Sequence, residues 1–140
     1  MLRRSIVELC EADHGNDPAV LGRWLSNKTV EEIRSWLVRP DGSLLLAVHD
    51  YAIAAVGSVT DAGLITLNYV LPDFRFRGAS RALLSALEAG ALERGAERFT
   101  PASTETAHRF YWSAGYSDAG APERLFGASG GYPMQKTLRP

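Results

Sequence analysis

The sequence predicts a mixed α/β fold, with a mostly antiparallel central sheet flanked by about four helices. Apolar runs at residues 43–48, 51–59 and 64–71 are separated by short turns, which is typical of an antiparallel meander. From Gly78 to Gly95 the apolar spacing becomes helical. A strand-like run at 98–102 follows, so we expect one strand–helix–strand crossover in the middle of the chain.

The N-terminal third predicts one strand and two helices. Residues 4–9 alternate weakly and suggest a first strand, and the polar stretch 11–17 is expected to be a turn. A helix is predicted at 18–25, with Pro18 in its first turn. Thr29 and Glu32 form a capping box for a second helix, which must end before Pro40.

The C-terminal third predicts one more helix and a hairpin. The helix spans about 104–114 and ends at Gly115. Residues 125–126 and 132–138 lie on either side of a glycine-rich turn, which favours a closing hairpin.

Composition restricts the class of protein. With 140 residues, 46% hydrophobic and 22% charged, the chain is expected to fold as one domain over 1–140. A net charge of -1 argues against nucleic acid as a partner. One cysteine and three scattered histidines predict neither a disulfide nor a metal site. Without a membrane-length apolar run or a signal peptide, we expect a cytoplasmic protein with no membrane partner.

The segment 70–84 has the features of an anion site. A buried strand ends at Pro72 and a helix begins near Gly78, where the first N–H groups of a helix have no internal partners. Small residues allow a phosphate to approach that backbone, and three arginines, Arg75, Arg77 and Arg81, add positive charge. An ordinary strand-to-helix turn with solvated arginines would have the same composition.

Two motifs in this order resemble those of the GNAT-type N-acetyltransferases. Arg75-x-x-Gly78-x-Ser80 resembles the acetyl-CoA-binding pattern [QR]-x-x-G-x-[GA], with Ser80 departing from it. Downstream, Tyr111 followed by Gly115-Tyr116 resembles the second hallmark of the family. The resemblance covers roughly residues 43–138 and implies a GNAT-like fold, with strands that splay around the cofactor.

The resemblance implies a role for each matching residue. Three strand residues would pair their main chain with the pantetheine amides: Asn68, Tyr69 and Val70. The backbone N–H groups of the loop and first helical turn would hold the pyrophosphate, beside Arg75: Phe76, Arg77, Gly78, Ala79, Ser80 and Arg81. Thr104 stands where the family often has an asparagine that contacts pantetheine, and Tyr111 would lie near the thioester sulfur.

Tyr111 is the predicted catalytic residue. A tyrosine hydroxyl can donate a proton to a departing thiolate whose conjugate acid has a pKa of about 8.5. The same residue also falls in a helical stripe with Ala107 and Phe110, which is typical of core packing. No base is assigned: Glu97, His108 and a water held by Asn68 and Tyr69 are the alternatives, with the water ranked first.

The leading hypothesis is an N-acetyltransferase that moves an acetyl group from acetyl-CoA to a primary amine by direct attack. The amine would enter opposite the cofactor arm, bordered by the first two helices and the hairpin, and a homodimer would offer it a shared cleft. The alternative is a non-catalytic coenzyme A sensor that binds a partner protein. A phosphate-binding domain that uses only residues 75–81 is a third hypothesis.

Overall fold

A computed structural model of the chain describes residues 1–125 and 128–137. The helices are α1 (Leu2–Leu9), α2 (Glu11–His14), α3 (Pro18–Leu25), α4 (Val30–Leu37), α5 (Ala79–Glu93) and α6 (Glu105–Ser113). The strands are β1 (Gly42–His49), β2 (Ala52–Thr60), β3 (Leu64–Val70), β4 (Arg98–Thr104), β5 (Ser117–Asp118), β6 (Glu123–Leu125) and β7 (Ala128–Thr137). A 3₁₀ turn at Pro72–Phe74 connects β3 to the loop before α5.

The strands form one mixed sheet in the order β1-β2-β3-β4-β7-β5, and β6 pairs with β7 off this path. Only β3 and β4 are parallel among the strand pairs of the described residues, so the predicted, mostly antiparallel sheet is confirmed. Their pairing is confined to Leu64 with Thr100 and Ile65 with Pro101. Beyond Ile65 both strands continue but diverge, and the sheet opens as a splay between them.

The N-terminal segment differs from its prediction. Residues 4–9 are not a strand; they belong to α1, which buries Leu2, Ser5 and Ile6 on one face. Arg4 and Glu8 form an i,i+4 ion pair at 2.8 Å on the exposed side, as a helix requires. The expected turn at 11–17 contains α2, so the described part of the chain has six helices where about four were expected. The weak alternation of polar and apolar residues at 4–9 is therefore part of a helical pattern and not of a strand.

The next two helices are confirmed, and their caps explain where they begin. Asp17 caps α3, because its side chain accepts from the backbone N–H groups of Ala19 and Val20. Thr29 caps α4 by accepting from the N–H of Glu32. The helix contains no buried residue; Trp36 lines the small cleft described below, and Val30 and Leu37 are exposed.

The main core lies between α5 and one face of the sheet. Leu83, Leu84 and Leu87 of the predicted helical stripe are almost completely buried there. At Gly57 of β2 a Cβ atom would lie 2.7 Å from a methyl carbon of Leu87. The lack of a side chain at Gly57 therefore allows α5 to pack closely on β2.

A second cluster joins the N-terminal helices to β3. Ile6, Cys10 and Trp24 are buried together, and Tyr69 packs against them. The indole N–H of Trp24 donates to the Tyr69 hydroxyl over 3.2 Å. This cluster anchors α1 and α3 beside the splay and determines where Tyr69 lies.

A C-terminal hairpin forms in the described residues, but the expected glycine-rich turn is not at its tip, because Gly130 and Gly131 belong to β7. Strands β6 and β7 pair antiparallel, from Glu123 with Gly131 to Leu125 with Ala128. Phe126 and Leu138, which the prediction also included, lie outside the described residues. β7 pairs with β4 as well, so the hairpin borders the open side of the splay.

Candidate active site

A cleft of about 930 Å³ enters the splay from the side of α5 and α6. We call it the large cleft. Of the twelve predicted site residues, eleven line it: Asn68, Tyr69, Val70, Arg75, Phe76, Gly78, Ala79, Ser80, Arg81, Thr104 and Tyr111. Arg77 is the exception. A volume of this size is ordinary for a site that holds a cofactor.

The loop before α5 exposes an uncapped helix N-terminus to this cleft. Phe76 and Gly78 have left-handed φ values of 64° and 81°. The first bond of the helix runs from the N–H of Ala82 to the carbonyl of Gly78 over 3.0 Å, and no side chain of the described residues caps the end. A Cβ atom at Gly78 would meet no atom within 4 Å. The amides therefore face open space in which an anion can approach them.

The three arginines of this segment have different surroundings. The Arg75 guanidinium lies 4.7 Å from the ring centre of Phe76, inside the large cleft. Arg81 donates to the carbonyl of Ser113 at 3.4 Å and to its hydroxyl at 2.8 Å, which ties α5 to the end of α6. Arg77 lies 5.8 Å from the Phe74 ring centre and does not line the cleft. Arg75 is thus the arginine best placed to meet a ligand.

The N-terminus of α6 also lies at the large cleft, but the protein caps it. The Asp13 carboxylate accepts from the backbone N–H of Glu105 at 2.6 Å and from the Thr106 hydroxyl at 2.6 Å. Thr104 uses its own Oγ1 to accept from the N–H of Ala107 over 3.1 Å. Of these two helix ends, only that of α5 lacks such a cap.

Asp13 was not anticipated from the sequence. It lies 92 residues before Glu105, and nothing local marks a carboxylate in a short polar stretch as the cap of a distant helix.

Tyr111 is buried, with only 3% of its surface exposed. The side-chain N–H of Asn68 donates to its hydroxyl oxygen over 3.0 Å. Burial raises the pKa of Tyr111 to about 12, and the Asn68 hydrogen bond opposes that rise. Since the oxygen already accepts one hydrogen bond, the tyrosine O–H remains free to donate into the cleft.

None of the proposed protein bases lies in the cleft. Glu97 does not line it, and His108 is held elsewhere, 2.6 Å from Asp118 and stacked on Tyr132 with ring centres 3.9 Å apart. Glu105 is the one carboxylate among the described lining residues, and it accepts from the Tyr132 hydroxyl at 3.3 Å. The lining therefore offers no histidine to accept a proton.

A second cleft, of about 410 Å³, lies on the side of the sheet that carries Trp24 and Trp36. We call it the small cleft. Ser58 and Thr60 of β2 line it, whereas the alternating residues Gly57 and Val59 face α5. The residues that line both clefts are Ile65, Thr66, Leu67, Tyr69, Ala102 and Thr104. The two clefts therefore meet at the splay.

The described residues contain neither a metal-binding cluster nor a helix that could span a membrane. No cluster of three or more histidine, cysteine, aspartate or glutamate residues within 1–125 and 128–137 is arranged to hold a metal ion. Among the helices that the structure describes, none has the length and hydropathy needed to cross a bilayer.

The chain belongs to the GNAT acetyltransferase family. The family model described as "Acetyltransferase (GNAT) domain" matches residues 16–138. Comparison with curated protein sequences returns no match.

Solved structures of this family share the fold. A GCN5-related N-acetyltransferase from Rhodopseudomonas palustris superposes with a TM-score of 0.84 at 23% identity, covering 97% of this chain and 84% of that one. The PaiA N-acetyltransferase of Thermoplasma acidophilum, in complex with coenzyme A, gives 0.81 at 14% identity, covering 98% and 91%. A GNAT family acetyltransferase from Elizabethkingia anophelis with acetyl-CoA bound gives 0.58 at 16% identity, covering 80% and 85%.

Proposed function

We propose that this chain, as one domain over 1–140, is an N-acetyltransferase. It moves an acetyl group from acetyl-CoA to a primary amine of a small molecule, peptide or protein. The observation that supports this most strongly is that the uncapped N-terminus of α5 and the hydroxyl of Tyr111 line the same cleft at the splay. An anion anchor and a proton donor at one cleft are what acyl transfer from a pyrophosphate-bearing thioester requires.

The residues present fit coenzyme A. The backbone N–H groups of 76–81 and the charge of Arg75 would hold the pyrophosphate. Beyond Ile65 the main chain of β3 no longer pairs with β4, so residues 68–70 can offer peptide groups to the pantetheine amides. Thr104 lines the same path, although its hydroxyl oxygen already accepts from Ala107. Arg81 and Arg77 contribute charge at longer range.

Bound acetyl-CoA supplies a thioester that a neutral amine attacks directly, forming the C–N bond as the C–S bond breaks. Tyr111 remains protonated at neutral pH because its pKa is about 12. Full proton transfer to a thiolate of pKa about 8.5 would be uphill by about 5 kcal/mol. Tyr111 therefore acts mainly by donating a hydrogen bond to the developing charge on sulfur, which is strongest in the transition state.

The attacking amine must lose a proton. An alkyl amine of pKa about 10 is neutral in only about one molecule in a thousand at pH 7, a penalty of about 4 kcal/mol. With no histidine among the described lining residues, we propose that a water near Asn68 and Tyr69 relays the proton to bulk solvent. The amine would approach from the small cleft, where the clefts meet.

The test is thiol release from acetyl-CoA across a panel of primary amines. We expect amine-dependent turnover that Tyr111→Phe lowers about 10- to 100-fold, the value of a hydrogen bond to a charged group. Tyr51→Phe is the control, since Tyr51 is fully exposed and lines neither cleft. Tight acetyl-CoA binding with no turnover on any amine would instead favour the non-catalytic coenzyme A sensor.

A further inference from the structure

We propose that the exposed ring of Phe76 stacks on the adenine base of the acyl donor, so that the chain recognises acetyl-CoA by its nucleotide as well as by its thioester arm. This inference rests on the proposed N-acetyltransferase function, from which it takes coenzyme A as the carrier of the acyl group. It assigns to the Phe76 side chain a role in donor specificity and no part in the chemical step.

Phe76 differs from the other aromatic residues of the large cleft. Five aromatic residues of the described chain line that cleft: Tyr69, Phe74, Phe76, Phe110 and Tyr111. Four of them are buried or half-buried, whereas Phe76 has 91% of its surface exposed. A planar ligand can cover the face of an exposed ring and remove its apolar area from water. Phe76 is therefore the aromatic surface that this cleft offers to a ligand.

The ring of Phe76 is paired with a cation. The Arg75 guanidinium lies over the ring, 4.7 Å from the ring centre. The quadrupole of the ring attracts the cation, which favours one arrangement of the two side chains. The high exposure of Phe76 still leaves ring surface open to solvent. The pair thus presents a flat apolar surface beside a positive charge, and a nucleotide offers a planar base beside a phosphate.

The charge of the large cleft also suits a nucleotide. Its described lining contains three arginines, Arg75, Arg81 and Arg109, and one carboxylate, Glu105. This net positive charge favours a ligand that carries several phosphate groups. A positive groove with aromatic rings on which bases stack is a common way for proteins to bind nucleotides without reading the base edges.

The position of Phe76 fits a nucleoside whose diphosphate binds at the start of α5. Phe76 lies two residues before Gly78, a span of at most about 7 Å along the chain. In a nucleoside diphosphate one ribose separates the base from the phosphates. A diphosphate on the amides at the start of α5 therefore leaves the base within reach of the Phe76 ring.

The backbone at Phe76 favours a residue other than phenylalanine. Its φ of 64° is left-handed, a conformation that costs least at glycine and asparagine and more at a bulky side chain. Tyr51 has a similar φ of 63° and is fully exposed, but it lies in the turn between β1 and β2 and lines neither cleft. Tyr51 is therefore the matched control for backbone conformation and exposure.

The experiment compares the binding of ADP with that of ribose 5-diphosphate, which has the same sugar and diphosphate but no base. Dissociation constants are measured by calorimetry on the full chain. We expect the wild type to bind ADP about fivefold more tightly or better, the lower limit for stacking of one base on an aromatic side chain. The adenine H2 and H8 proton resonances should also shift upfield on binding, because they would lie over an aromatic ring.

Variants separate stacking from a structural role. Phe76→Leu should bind ADP and ribose 5-diphosphate within twofold of each other, and its dissociation constant for acetyl-CoA should rise about fivefold or more. Phe76→Tyr should retain the preference for ADP because it keeps the ring. Tyr51→Leu should match the wild type in both measurements.

An equal loss of affinity for ADP and ribose 5-diphosphate in Phe76→Leu would mean that the ring only holds Arg75 in place, and it would overturn the inference. Equal binding of the two ligands by the wild type, or binding of neither, would overturn it as well, while amine-dependent turnover would still support the proposed function. Absence of turnover on any amine would contradict the proposed function instead. In that case a preference for ADP that Phe76→Leu removes would still support the base site.

Discussion

The side-chain amide of Asn68 donates a hydrogen bond to the hydroxyl of Tyr111 over 3.0 Å, from a strand to a helix 43 residues away. Asn68 lies on β3 beyond the point where β3 and β4 separate, and Tyr111 lies on α6. The bond occupies the tyrosine oxygen as an acceptor and so directs the O–H hydrogen elsewhere. It orients the proposed proton donor before any ligand binds.

Loss of this bond should slow the reaction without weakening acetyl-CoA binding. Asn68→Leu keeps the main chain of β3 but leaves the Tyr111 hydroxyl free to rotate, so we expect kcat to fall about tenfold, the value of one ordinary hydrogen bond. KM for acetyl-CoA should change less than twofold. In a Tyr111→Phe background the same change should cost less than it does in the wild type, because only the effect on the water near Asn68 remains, and fully additive losses would contradict the coupling.

A negative charge at Gly78 should abolish acetyl-CoA binding. When acetyl-CoA is present at 100 times its dissociation constant, the wild-type protein should gain about 2.7 kcal/mol of apparent stability, measured as a thermal shift. Gly78→Glu places a carboxylate where the pyrophosphate would bind, in space that holds no other atom within 4 Å. We therefore expect no shift, whereas Gly78→Gln, of equal size, should retain part of it.

Gly95 provides the matched control for backbone strain. It lies just beyond the other end of α5, has φ +98°, and a Cβ there would also meet no atom within 4 Å. Gly95→Glu should therefore cost about as much stability as Gly78→Glu, about 1–2 kcal/mol for a left-handed residue. It should leave the acetyl-CoA shift intact; if both variants lost it equally, the loop would not be the anion site.

The two loop arginines, Arg75 and Arg77, should contribute unequally to the affinity for coenzyme A. Arg75 lines the large cleft and Arg77 does not. Arg75→Ala is expected to raise the dissociation constant for coenzyme A about three- to tenfold, since an exposed charge contributes roughly 1 kcal/mol. Arg77→Ala should change it less than twofold. Both effects should shrink at 0.5 M salt, and a larger effect at Arg77 would mean that the loop binds its ligand on the opposite side.

The pH dependence of kcat/KM should follow the pKa of the acceptor amine and not that of a protein side chain. If water removes the amine proton, kcat/KM should rise about tenfold per pH unit until the pKa of the free amine. The neutral form of Tyr111 persists up to its pKa of about 12, so this residue should cause no decline below about pH 11. Acceptors of lower pKa should reach their plateau at lower pH. If kcat/KM instead levelled off near pH 7 for every amine, whatever its pKa, a protein side chain would be the base.

Alkaline unfolding should depend on Tyr111. Its pKa is raised from 10.0 to about 12 by burial, so its contribution to stability is complete below pH 10 and is lost as pH rises through 12. Between pH 9 and 11.5 the wild type should therefore lose about 2 kcal/mol more unfolding free energy in urea than Tyr111→Phe. Tyr51→Phe, at a fully exposed position, should follow the wild type.

Much of the fold followed from local sequence. The Thr29 cap and the apolar stripe of α5 each indicated their element, because capping and periodicity act within a few residues. The prediction of α1 as a strand was wrong although a helical signal existed: Leu2, Ser5, Ile6 and Leu9 recur at i, i+3, i+4 and i+7. An eight-residue segment is short enough for both periods to fit.

The candidate site also contains features that the sequence predicted and features that it did not. The sequence by itself determined the loop from Arg75 to Arg81 and the helix of Tyr111, since small residues and arginines before a helix signal an exposed N-terminus. Only the tertiary structure decided that Asp13 caps α6 while α5 stays uncapped, that Asn68 orients Tyr111, and that Tyr69 lines both clefts. These relationships join residues far apart in the chain, and a hydrogen bond or a buried charge depends on distance in space.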